Sequence, residues 1–116
     1  MLTEKDYCDY ETCVALKELG YDDSTDLRYN SYGSLGNFLG GIKAPTLYEA
    51  QKWLREEKNI IVEVFVDDDS DTPITYNIHK DGECVCHHHG KYWSIKEWSE
   101  ALSEGVKCAV KILKEK

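Results

Sequence analysis

Residues Cys84-Val85-Cys86-His87-His88-His89 set two thiols and three imidazoles side by side, and these are the side chains that bind zinc and copper. Asp81-Gly82, just before them, is the sequence of a two-residue hairpin turn. Such a turn pairs Lys80 with Glu83, His79 with Cys84, Asn77 with Cys86 and Thr75 with His88. His79, Cys84, Cys86 and His88 are then expected on one strand face as a zinc-binding strip. The other face receives Ile74, Tyr76, Ile78 and Val85 and suits the core. Against a metal, Cys-x-Cys lacks the Cys-x-x-Cys spacing of zinc knuckles, and a strand holds alternate side chains parallel instead of converging. The expectation is that no cofactor is bound, with zinc on this strip as the alternative.

Other stretches fall short of a site for stated reasons. Asp67, Asp69 and Asp71 fall at the first, third and fifth positions of a calcium loop, but Thr72 stands where the sharp turn needs Gly and Ile78 where the bidentate Glu belongs. Asp67, Asp68, Asp69 and Asp71 read instead as a solvated acidic turn that discourages edge pairing. The glycine-studded stretch from Gly33 to Gly41 lacks the Lys-Ser/Thr ending of a phosphate loop. Its apolar members Leu35, Phe38 and Leu39, with Tyr32, either fold back over a core or offer a contact patch. No glycine-rich oxyanion turn or positioned acid accompanies the Cys/His segment, so an enzyme is not expected. Five cysteines are an odd number, and Cys8, Cys13 and Cys108 fall on segments where packing accounts for them. Thiols in a reducing compartment suit this distribution better than a disulfide framework.

These side chains need elements to hold them. The 116 residues match one domain, read as spanning 1–116. Asp9 as N-cap and Gly20 as C-cap bound a helix over 9–20. Residues 22–43 read as an irregular loop with at most one short hairpin. Thr46-Leu47-Tyr48-Glu49 is a capping box that opens a helix over 46–58, with Leu47, Ala50, Trp53 and Leu54 on its apolar face. Strands follow at 60–66, 74–80 and 83–89. Ser94-Ile95-Lys96-Glu97, a second capping box, opens a helix over 94–115. The fold class is α+β, a three-stranded antiparallel sheet with helices on one face. Its last five elements share the order of double-stranded-RNA-binding domains, here with an N-terminal helical extension.

Charge limits the partners. Lys and Arg number 14 against 22 Asp and Glu, a net charge of −8. The start of the last helix, Ser94 to Glu100, holds one Lys against two Glu, so RNA binding is the weakest of the readings. Anionic lipid is disfavoured on the same ground. No stretch reads as a signal peptide or a membrane span, and a cytoplasmic location is expected.

Ala44-Pro45-Thr46 through Ala50, then Lys52-Trp53-Leu54-Arg55-Glu56 and Asn59 with strand residues 60–64, resembles a family of small proteins of unassigned activity encoded by bacteriophages and prophages of anaerobic gut bacteria. Leu16 to Tyr21 and Trp93 to Glu97 are similar to two further pieces of that family. The resemblance implies a phage origin in a bacterial host and a shared fold, and it carries no catalytic residue or cofactor. The functional expectation is a non-enzymatic module that binds another protein, with Tyr32, Leu35, Phe38 and Leu39 or the acidic turn as its contact surface.

Overall fold

The computed structural model describes residues 2–67, 70–87 and 91–115, with the backbone alone at His87. The first helix, α1 (Tyr10–Glu18), starts where Asp9 Oδ1 accepts from the Thr12 backbone N–H at 2.8 Å. It closes at Gly20, whose φ of +106° suits a residue without a Cβ.

The stretch 22–43 is not the irregular loop expected from its glycines. It forms a small antiparallel sheet of β1 (Leu27–Tyr29), β2 (Leu35–Gly36) and β3 (Ile42–Ala44), in the order β2-β1-β3. Local hydrogen bonding makes the β1–β2 turn: Asn30 Oδ1 accepts from the Tyr32 and Ser34 backbone N–H groups, both at 2.9 Å. Gly41, at φ +98°, passes so close to β1 that a Cβ there would lie 2.2 Å from the Tyr29 carbonyl oxygen. Glycine at this position lets the chain cross β1 and pair as β3. Tyr29 is buried and donates its hydroxyl to the Cys8 carbonyl at 2.8 Å, which fastens the sheet to the core.

The helix α2 (Leu47–Lys58) begins with the expected reciprocal cap. Thr46 Oγ1 accepts from the Glu49 N–H at 3.1 Å, and Glu49 Oε1 accepts from the Thr46 N–H at 2.8 Å. Asn59, at φ +53°, turns the chain directly into β4 (Ile60–Val66). β5 (Ile74–Lys80) and β6 (Glu83–His87) complete a second sheet in the order β4-β5-β6. Asp81 and Gly82 both have positive φ, as a tight hairpin turn requires. A short 3-10 turn over Ile95–Glu97 precedes α3 (Trp98–Lys114), and Glu97 Oε1 accepts from the Ser94 N–H at 2.9 Å.

Alternation on β4 and β5 decides which sheet face is covered. Ile60, Val62, Tyr76 and Ile78 are buried, and α2 and α3 pack across that side, while Ile61 on the other side is exposed. α3 approaches closely at Gly105, where a Cβ would lie 2.5 Å from Val62 Cγ1. Leu16, Tyr29, Leu54, Val62 and Val106 belong to one buried cluster, so the small sheet shares its core with the larger one. Trp53 sits in this cluster with its ring edge-on to Tyr21, centroids 5.3 Å apart.

Candidate functional site

The β5–β6 ladder starts as expected, with Lys80 opposite Glu83 and His79 opposite Cys84. It then shifts by one residue. Ile78 faces Cys86 and Asn77 faces His87, so Val85 is the extra residue of a β-bulge. A one-residue shift exchanges the two faces of a strand. Cys86 therefore lies on the core side beside Ile78, half-buried, while Val85, expected in the core, is 45% exposed.

The four residues expected as one metal strip are thus divided. His79 and Cys84 stay cross-strand neighbours on the outer face, Cys86 joins the inner face, and His88 lies outside the described residues. His79 Nε2 lies 3.0 Å from Glu63 Oε1, and the Cys84 thiol is exposed. Among the described residues, no group of three or more His, Cys, Asp or Glu side chains is placed to hold a metal ion. Cys84, His79 and Glu63 do supply thiol, imidazole and carboxylate along one row. The Glu63 carboxylate orients the His79 ring in this row, and both side chains are partly open to solvent.

The apolar residues of the small sheet separate into two kinds. Leu35 is partly buried and packs against the core cluster. Tyr32 is 91% exposed, Leu39 is fully exposed and Phe38 is 38% exposed. Phe38 lies over Gly36, where a Cβ would come within 2.9 Å of its ring, so this glycine gives the aromatic a flat seat. Tyr32 in the β1–β2 turn and Phe38 and Leu39 in the β2–β3 connection are therefore apolar side chains carried at the surface of a sheet anchored by Tyr29.

The acidic turn is partly committed to structure. Asp67 donates its backbone N–H to the Pro73 carbonyl at 2.8 Å, and its Oδ2 accepts the Tyr92 hydroxyl at 3.0 Å. Asp71 is exposed, and Asp68 and Asp69 lie outside the described residues.

Two features escape sequence reasoning. A cavity of about 190 Å³ is lined by Lys17, Arg28 and Lys43 together with Cys13, Tyr21, Asp22 and Gly41. Lys43 is held there by Asp22, donating to its carbonyl at 2.8 Å and its carboxylate at 3.1 Å. The three cations come from three separate elements, so no local motif announces them. The second feature is a thiol pair: Cys86 Sγ and Cys108 Sγ approach to 3.1 Å between β6 and α3. Burial, and then the neighbouring Cys86 thiol, push the Cys108 thiol up to about 12.

Among the described residues, no helix is long and apolar enough to cross a membrane. Compared with known protein families, curated proteins and solved structures, the chain gives no match.

Proposed function

We propose that the protein is a non-enzymatic binding module that engages another protein through the exposed connections of its small sheet, with Tyr32, Phe38 and Leu39 as the contacts. The observation that carries this reading is the full exposure of Leu39 beside a sheet in which Tyr29 is buried and Leu35 and Ile42 pack against the core. Apolar side chains on short connections of an anchored sheet lose little conformational entropy on binding. The net charge of −8 favours a partner whose apolar cleft is rimmed by basic residues. A phage or prophage origin and an accessory role in the cytoplasm of a bacterial host form part of the same proposal.

Burying Tyr32 and Leu39 contributes about 1.5–3 kcal/mol each at full desolvation, enough for either to act as an anchor. The test compares immobilised wild-type protein with a Tyr32→Ala/Leu39→Ala double variant in lysate of the producing cell, quantifying each retained protein. The reading expects a stoichiometric protein on the wild type that is lost from the double variant. Equal retention by both, in protein of unchanged fold, overturns it.

A further inference from the structure

The bulge in β6 brings together two thiols that lie 22 residues apart in the chain. With Val85 as the extra residue, Cys86 turns inward and meets Cys108 from α3, Sγ to Sγ at 3.1 Å. That separation exceeds a sulfur–sulfur bond by only about 1 Å, a distance that small side-chain rotations can close. Both thiols are half-buried, in contrast to Cys8 and Cys13, which are sealed in the core at 1% exposure. Cys84 is exposed, but it stands opposite His79 on the outer face of the sheet, away from α3.

We propose that Cys86 and Cys108 form a dithiol site, which a low-molecular-weight disulfide such as oxidised glutathione converts into an internal disulfide joining β6 to α3. The exchange runs in two steps. The Cys86 thiolate attacks one sulfur of the reagent, forming a mixed disulfide and expelling one thiolate, which takes up the proton that Cys86 gave to solvent. Cys108 then loses its proton, and its sulfur attacks the Cys86 sulfur, breaking the mixed disulfide and releasing the second reagent thiol. One reagent disulfide is reduced to two thiols, and two protein thiols are oxidised to one disulfide.

The order follows from the surroundings. Burial and the adjacent Cys86 both oppose ionisation of Cys108. Once Cys86 is held in the mixed disulfide its share of that opposition is gone, and the attacking sulfur is already in place. The product staples an edge strand to the helix beneath it and fixes the bulge that divides the Cys/His segment between the two sheet faces.

The test uses full-length Cys84→Ser protein, which removes the exposed competitor while leaving both members of the pair. After treatment with oxidised glutathione, its intact mass is expected to fall by two hydrogens with no retained glutathione. Digestion with trypsin without reductant should then yield peptide 81–91 joined to peptide 108–111, and dithiothreitol should separate them. Adding Cys108→Ala should leave one glutathione trapped on Cys86. A lasting glutathione adduct on the Cys84→Ser protein, a link confined to Cys8 and Cys13, or no reaction at either thiol overturns the proposal.

Discussion

Replacing Gly105 by alanine inserts one methyl group between α3 and β4. Its ideal position is 2.5 Å from Val62 Cγ1 and 3.4 Å from the Tyr76 ring, and both neighbours are buried. Two effects oppose each other. Alanine favours a helix interior over glycine by about 1 kcal/mol, while overpacking a core contact costs about 1–3 kcal/mol. The overlap with Val62 is severe enough for the second to win, giving a net loss of about 1 kcal/mol and a fall in Tm of about 4 °C. Val62→Ala alone removes two buried carbons and leaves a cavity, a loss of about 2 kcal/mol. In the double variant the new methyl at 105 enters the space that Val62 gave up, so the combined loss should fall short of the sum by about 1 kcal/mol or more. Urea unfolding followed by tryptophan fluorescence on the wild type, both single variants and the double variant gives this coupling directly. Losses that add within about 0.5 kcal/mol, or a Gly105→Ala protein more stable than wild type, would refute the packing account.

Closing the loop between Cys86 and Cys108 should raise the unfolding free energy by about 3 kcal/mol, measured by urea unfolding of oxidised and reduced Cys84→Ser protein, and an unchanged midpoint would mean that the bond strains the native packing. Asp9 carries a pH dependence: burial works to raise its pKa, but hydrogen bonds from Thr12 and the Lys107 ammonium at 3.1 Å outweigh burial and hold the carboxyl below its ordinary value of 3.8. Its contribution is therefore fully present above about pH 4 and is lost as pH falls through the folded-state value. Urea midpoints of wild type and Asp9→Asn should differ near neutral pH and converge as pH falls below the folded-state value, and a constant difference would count against the Lys107 pairing.

The parts of the fold that sequence reveals are those encoded by contiguous patterns. Thr46 and Glu49 mark the α2 start through reciprocal hydrogen bonds three residues apart, and the β-branched run from Ile60 to Val66 alternates along its first half. Asp81-Gly82 fixes the start of the β5–β6 register, because only a two-residue turn with positive φ joins those strands. The small sheet is hidden because strands of two or three residues are too short to alternate, and its glycines, which permit tight crossings such as that of Gly41 over Tyr29, read locally as chain breakers.

The bulge at Val85 is hidden for a different reason. β6 contains no glycine or proline to mark an irregularity, so a period of two carries through and assigns Cys86 to the wrong face. The shift sets Cys86 beside Cys108 on α3, a residue whose position depends on how the helix docks. The same dependence hides the meeting of Lys17, Arg28 and Lys43 around one cavity. In the connections of the small sheet, composition marks Tyr32, Leu35, Phe38 and Leu39 alike as apolar residues in a turn-rich stretch, and only the docking of the sheet separates partly buried Leu35 from the exposed three.

The central claim is that Tyr32 and Leu39 bind and do not stabilise. Its most direct measurement is the affinity of the retained partner, once isolated, for wild type and for the Leu39→Ala and Tyr32→Ala variants, alongside their urea midpoints. Because both side chains are almost wholly exposed, the midpoints should stay within about 0.5 kcal/mol of wild type, while each substitution weakens binding about tenfold or more. Variants that bind as tightly as wild type while remaining equally stable would contradict the account.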